Sequence, residues 1–133
     1  EGVALANVEG KIIEWNKGMS EITGIPREKA LGMYQWDIEF QLMRPEFKKP
    51  ELHKKLKMIG LEALLKQKIE PANRYSEGQI MAADGTLRYV HLTAFEIKTN
   101  KDFYIGRIAR DITEQKTIAD SLKKSENQSI RHR

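Results

Sequence analysis

The sequence has 133 residues, of which 40% are hydrophobic, and this is enough for the core of one domain. No run approaches the roughly 18 apolar residues of a membrane span, and no charged-then-apolar leader comes first, so we expect a cytoplasmic protein. The absence of cysteine excludes disulfides, thiolate nucleophiles and cysteine-ligated zinc.

The net charge of +4 comes from residues 44–70, which contain eight basic and four acidic side chains. A basic helix face can attract nucleic acid or an acidic partner. A solvated surface whose lysine stems cover apolar residues explains the same pattern more simply. Binding to nucleic acid is therefore not expected.

The N-terminal third predicts a hairpin followed by short helices. Residues 3–8 and 11–15 are short apolar runs joined by a glycine turn, as in a β-hairpin. A helix of about two turns is then predicted from Asn16, a good N-cap residue, to Gly24, a good C-terminal residue. Residues 27–31 predict one further helical turn.

Residues 34–43 are rich in large apolar side chains, and the pattern does not distinguish a short helix from a loop. A long helix is predicted between Pro50 and Pro71, since proline suits the first helical position and blocks continuation. Gly60 in its interior costs about 1 kcal/mol of helix stability relative to alanine, and the sequence leaves open why glycine occupies this position. The predicted inward stripe is Leu52, Leu56, Ile59 and Ala63, widened by Met58, Leu61, Leu65 and Ile69.

Two long strands, residues 74–83 and 86–98, meet across Asp84-Gly85, which is a strong hairpin signal. In the second strand both faces are partly apolar, so periodicity alone does not identify the core side. A final strand at 103–111 runs into a helix that extends from residue 114 toward the C-terminus. Strands, helices and strands in this order, without βαβ alternation, indicate the α+β class.

Three motifs resemble the PAS domain family: Trp15-Asn16 and Ile22-Thr23-Gly24 near the start, and Asp111-Ile112-Thr113 at the end of the last strand. The resemblance covers residues 2–116 and implies a five-stranded antiparallel sheet in the order 2-1-5-4-3, with helices over one face. It also implies a sensor domain at residues 1–113, a projecting signalling helix at residues 114–133, and a larger parent protein, most often a histidine kinase.

In PAS domains the helices and the sheet enclose a ligand cavity, and the resemblance places Val90, Leu92 and Ala94 inward. Either Arg107 or Arg110, whichever points inward, could bind a carboxylate in bidentate fashion, although a surface or ion-paired arginine is the favoured interpretation of each. An interaction domain whose cavity is filled by Phe40, Met43, Leu56 and Ile59 is the alternative. The predicted lining is Trp36, Phe40, Leu56, Ile59, Ile80, Val90, Leu92 and Ile108.

No Gly-rich phosphate loop, metal-ligand spacing or nucleophile elbow is present, so catalysis within this chain is not expected. Cysteine-adduct flavin is excluded, and the expected cofactor is none or a small metabolite. His53 is a weak haem candidate, because its position on the long helix lies about 100° from the inward stripe at Leu52.

The hinge predicted from the resemblance consists of Asp111, Ile112 and Thr113. The resemblance implies that Asp111 pairs with a basic group and that Thr113 hydrogen-bonds the hinge, although simple helix capping would look the same in the sequence. Spacing along the last helix gives a short coiled-coil seam, which predicts a homodimer. We interpret the chain as part of a longer protein, whose output domain would be its partner. The seam residues are Ile112, Gln115, Ala119 and Leu122.

Overall fold

The computed structural model describes residues 1–131, with side chains through residue 126. Residues 132 and 133, which include His132 and the end of the predicted C-terminal helix, lie outside the described part. Within it, no helix combines the length and apolar character that a membrane span requires. The elements are β1 (Gly2–Ala6), β2 (Ile12–Trp15), α1 (Lys17–Thr23), α2 (Arg27–Ala30), α3 (Gln35–Gln41), α4 (Pro50–Lys66), β3 (Tyr75–Met81), β4 (Leu87–Lys98), β5 (Phe103–Asp111) and α5 (Thr113–Arg131), with 3₁₀ turns at Pro45–Phe47 and Pro71–Asn73.

The five strands form one antiparallel sheet in the order β2-β1-β5-β4-β3. This confirms the α+β class and the strand order implied by the PAS resemblance. Strand β5 lies at the centre, where Ala109 pairs with Gly2 of β1 and with Leu92 of β4. The central strand therefore connects both halves of the sheet.

The register of β4 against β5 identifies the face that the sequence pattern left open. Opposed residues share a face of the sheet, and Val90 and Ala94 are buried there together with Ala109 of β5. This inner face packs against the helices, and the predicted inward set of β4 is confirmed. Residues at the alternate positions, such as His91 and Ile108, lie on the outer face.

The turn between β3 and β4 forms as the Asp84-Gly85 pair predicts. Gly85 has a φ of 85°, a conformation that favours glycine, and its amide donates to the carbonyl of Ala82. The Asp84 carboxylate accepts hydrogen bonds from the amide and hydroxyl groups of Thr86. The turn that joins β3 to β4 is thus held by hydrogen bonds among its own residues.

Helix α1 is capped at both ends by the residues that the sequence indicates. The Asn16 side chain accepts from the amide of Met19 at 2.9 Å, and Gly24 ends the helix in the left-handed region. Next to it, the Trp15 indole is buried and donates from Nε1 to the carbonyl of Ile25 at 2.9 Å. These contacts fix α1 against the start of the sheet.

Residues 34–43, where the sequence left helix and loop open, contain α3. The helix predicted up to Pro71 ends earlier, at Lys66, because Gln67 adopts a left-handed φ of 50° and the amide of Lys68 bonds back to Ala63. The predicted wide apolar face of this helix was wrong: Met58 is 70% exposed and Leu65 is 86% exposed. Helix α4 therefore covers the sheet with a narrower stripe than the sequence indicates.

The segment after α4 is fastened to the sheet by Glu96 of β4. Both carboxylate oxygens of Glu96 bind the Arg74 guanidinium at 2.6 Å, and one also accepts from the amide of Ile69 at 3.0 Å. This clamp brings Ile69 into a core cluster with Phe103 and Ile105. A second cluster, around Ile12, Trp15 and Met19, forms the other half of the core.

Candidate functional site

A cavity of about 490 Å³ lies between the inner face of the sheet and the helices. Helices α1, α3 and α4 and all five strands contribute residues to its wall. Small-molecule sites are commonly clefts or cavities of about 300–1,000 Å³ lined mainly by apolar side chains. The cavity falls within that range.

The structure brings together six of the eight side chains that the sequence analysis placed around a cavity. Phe40 and Ile108 do not line it. Those that do are Trp36, Leu56, Ile59, Ile80, Val90 and Leu92.

The two misplaced residues have separate physical explanations. Phe40 lies on the side of α3 that faces α4, where its ring is 4.7 Å from the ring of His53. Ile108 lies opposite Val3 and Thr93, on the outer face of the sheet. Because side chains of a strand alternate, its neighbours Arg107 and Ala109 line the cavity instead.

The indole of Trp36 forms part of the cavity wall and packs closely against two glycines. A Cβ on Gly10 would lie 2.5 Å from Cζ3 of the indole, and a Cβ on Gly60 would lie 2.7 Å from Cε3. The ring of Tyr34 stacks on the indole of Trp36 with a centroid distance of 4.8 Å. The close approach of α4 to Trp36 therefore explains the glycine in the middle of that helix.

A polar cluster, formed by Gln35, Glu39 and Arg107, interrupts the apolar wall. Gln35 and Glu39 lie four residues apart on α3, so both side chains occupy one helix face. Glu39 Oε1 accepts from Nε2 of Gln35 at 3.2 Å and lies 3.5 Å from Nη2 of Arg107. Burial lowers the pKa of the Arg107 guanidinium, an effect that Glu39 opposes. The cluster thus contains one ion pair and one amide within the cavity wall.

Arg107 is the inward member of the arginine pair that the sequence left open. Arg110 points away and binds the carboxylate of Glu1. Gln35 and Glu39 are absent from the predicted site, although their i, i+4 spacing within an apolar stretch is the one signal that the sequence offers. Their contact with Arg107 crosses from α3 to β5, and no local pattern reports such a contact.

The cavity opens to solvent between the C-terminal half of α4 and strand β3. The exposed residues of its lining are concentrated there, while the polar cluster lies at the inner side. These mouth residues are mostly polar or small. They include Glu62, Lys68, Glu70, Asn73, Ser76 and Gly78.

The predicted hinge at residues 111–113 joins β5 to α5 and is tied to the start of β4. The amide of Ile112 donates to the carbonyl of Tyr89 at 2.9 Å, and the amide of Tyr89 donates to Oγ1 of Thr113 at 3.0 Å. Asp111 accepts from the amide and hydroxyl of Thr113. Among the described residues Asp111 forms no ion pair, and a local turn with Thr113 replaces the pairing that the resemblance implies.

The histidines do not approach the cavity in the described residues. Nε2 of His53 lies 2.7 Å from Oδ1 of Asp37, and this contact occupies the nitrogen that a haem iron would need. His91 lies on the outer face of the sheet opposite Arg110. Among the side chains that the structure describes, through residue 126, no group of three or more is arranged to hold a metal ion. The weak haem candidate therefore finds no support in the geometry.

Comparison with known proteins gives one family and a set of similar folds. A family model described as a PAS domain matches residues 1–114. The sensory box histidine kinase/response regulator of Burkholderia thailandensis E264 is 15% identical, with a TM-score of 0.60 over 98% of this chain and 90% of that one. The PAS domain of a Colwellia psychrerythraea protein is 20% identical, with a TM-score of 0.54 over 85% of this chain and 86% of that one.

The PAS domain of an HTR-like protein from Haloarcula marismortui is 18% identical, with a TM-score of 0.54 over 84% of this chain and 80% of that one. At these identities the similarity establishes a common fold. No curated protein is similar enough to this chain to count as a match.

Proposed function

Because this chain belongs to the PAS domain family, we propose that it is the sensory module of a larger signalling protein of the histidine kinase type. PAS domains typically serve as non-catalytic sensor modules. In this proposal a small metabolite binds in the cavity, and the resulting change reaches α5 through the hinge at residues 111–113. The module acts in the cytoplasm as a homodimer, with the output domain of the same protein as its downstream partner.

The single observation that carries the proposal is the cavity itself. Its volume of about 490 Å³, apolar wall and small polar cluster are the combination found in small-molecule sites. Only Leu64 is buried among the 17 residues of α4, so few side chains of this helix are fully packed against the rest of the domain. Together with the mouth beside β3, this gives a ligand a route in.

The alternative function is an interaction domain whose cavity is filled by its own side chains. Phe40, the largest of the four proposed filling residues, packs against His53 outside the cavity. Met43, Leu56 and Ile59 line the space and leave it open. The geometry therefore favours ligand binding over the filled interaction domain.

A short path connects the cavity to the hinge. Val90 lines the cavity, pairs with Asp111 across the sheet, and directly follows Tyr89 in β4. The backbone of Tyr89 holds Ile112 and Thr113 by two hydrogen bonds. A displacement of β4 by a ligand would therefore be carried to the first turn of α5.

Native mass spectrometry of the purified protein, compared with the denatured chain, tests the proposal. We expect an excess mass that is lost on denaturation, together with a dimer peak. Ile118 and Leu122 of α5 are 54% and 60% exposed, which supports a paired helix. A chain that binds nothing as purified and nothing from a metabolite mixture would instead favour the interaction domain.

The hinge is tested by Asp111→Ala, with Asp102→Ala as the matched control in an exposed turn. Hydrogen exchange of the α5 amides is measured with and without the co-purified ligand. We expect Asp111→Ala to keep the ligand but lose the ligand-dependent change in α5, while Asp102→Ala keeps both. Equal loss of fold and ligand in Asp111→Ala would instead assign Asp111 a purely structural role.

A further inference from the structure

The Gln35 side chain contains the clearest unmet hydrogen-bonding requirement in the cavity. Gln35 is 7% exposed, and its Oε1 has no hydrogen-bond partner among the described residues. The amide orientation is fixed, because Nε2 donates to Glu39 and a flipped amide would set oxygen against carboxylate oxygen. Leaving a buried acceptor unsatisfied costs about 1–3 kcal/mol. A donor from a bound molecule would remove that cost.

Arg107 supplies the complementary group on the facing strand. Its contact with Glu39 at 3.5 Å is longer than the roughly 2.7–2.9 Å of a strong charge-assisted hydrogen bond. The guanidinium has five N–H donors, so it has capacity for a further acceptor. Gln35 and Arg107 approach the same oxygen of Glu39, so their side chains meet at one point of the cavity wall.

The charge balance of the cluster limits the ligand further. Glu39 and Arg107 neutralise one another, so a charged ligand would add an unbalanced charge to a partly buried site. An ammonium group would approach the Arg107 cation, and a carboxylate would compete with Glu39. A neutral group carrying a donor beside an acceptor matches Gln35 and Arg107 without disturbing the ion pair.

We propose that the ligand is a neutral, mainly apolar molecule with an adjacent donor and acceptor, as in a lactam or a secondary amide. Its N–H donates to Gln35 Oε1 and its carbonyl accepts from Arg107, while its apolar part lies against Ile80, Val90 and Leu92. This inference rests on the proposed function and assigns the ligand class for the same cavity.

Three size-matched probes test the ligand class by methyl-detected NMR titration of the whole chain. They are 2-quinolone, which is a lactam, 2-naphthoate, which is a carboxylate, and naphthalene, which has no polar group. We expect 2-quinolone to shift the methyl signals of Val90 and Leu92 and to bind about fivefold more tightly than either other probe. This factor corresponds to about one net hydrogen bond.

Two variants identify the contacts. Gln35→Met has a similar shape and should weaken 2-quinolone binding about fivefold while leaving naphthalene binding unchanged. Glu39→Gln leaves Arg107 without its counter-ion, so the order should reverse and 2-naphthoate should bind more tightly than 2-quinolone. Because the two variants act on different groups, either alone suffices if the other fails to fold.

The outcomes distinguish the ligand class from the existence of a ligand site. Naphthalene or 2-naphthoate binding the native chain as tightly as 2-quinolone would overturn the ligand class and leave the cavity as a ligand site. Unchanged 2-quinolone affinity in Gln35→Met would do the same. Failure of all three probes to shift the cavity methyl signals would overturn the ligand class, whereas the absence of any excess mass in native mass spectrometry, as purified and after exposure to a metabolite mixture, would also overturn the proposed ligand sensor.

Discussion

Replacing Gly60 by alanine should destabilise this protein, although glycine to alanine in a helix interior normally stabilises by about 1 kcal/mol. The added Cβ would lie 2.7 Å from Cε3 of Trp36. Trp36 has no room to retreat, since it is 4% exposed, approaches Gly10 closely as well and stacks against Tyr34. Overpacking of this kind costs about 1–3 kcal/mol. The cost exceeds the helical gain, and we expect a net loss of about 1 kcal/mol.

Urea denaturation followed by far-ultraviolet circular dichroism measures this change in the free energy of unfolding. The matched background is Trp36→Phe, whose shorter ring removes the carbons that face Gly60. In that background Gly60→Ala should stabilise the protein by up to about 1 kcal/mol, so the sign of the effect reverses. Equal stabilisation by Gly60→Ala in both backgrounds would refute the proposed contact.

Two further predictions concern the Glu96 clamp and the hinge. The Arg74 guanidinium, followed by the Ile69 amide, lowers the pKa of Glu96 to about 2, so its stabilisation is complete above pH about 4.5 and is lost as the pH falls toward 2. In acid denaturation, the free energy of unfolding of the native chain should fall by about 1–2 kcal/mol more than that of Glu96→Gln over this pH window, after allowance for solvent screening. Equal pH dependence of the two free energies of unfolding would contradict the clamp. Thr113→Val should lower stability by about 1 kcal/mol and speed hydrogen exchange at the Tyr89 amide, whereas the exposed Thr117→Val should change stability by less than about 0.5 kcal/mol. Unchanged exchange at Tyr89 in Thr113→Val would show that the hydroxyl does not hold this amide.

Local signals in the sequence were sufficient for the turns and caps. Asn16, Gly24 and the Asp84-Gly85 pair each fix a backbone conformation through their own side chain or its absence. The strand order came from the PAS resemblance, because pairing between distant strands has no local signal. Its confirmation reflects the specificity of the motifs, taken in order along the chain.

The errors in the predicted site concern which face of each helix or strand points toward the cavity. The sequence does not distinguish helix from loop for residues 34–43, so it does not determine the direction of the Phe40 side chain. In the structure this side chain points toward α4. In β5 a one-residue error exchanges the two faces, which put Ile108 in the predicted lining where Arg107 belongs. Helix α4 has more apolar residues than buried positions, so its composition overstated its packing.

The joint between β5 and α5 engages β4 through the backbone of Tyr89 and makes no use of its side chain. Any residue with an amide hydrogen supplies the same donor and acceptor, so the joint itself places no demand on the side chain at position 89, with proline as the exception. The demand for particular side chains falls on Asp111 and Thr113 alone. Such a joint can be transferred between chains as a short cassette, which makes fusion to a different output helix a simple engineering step.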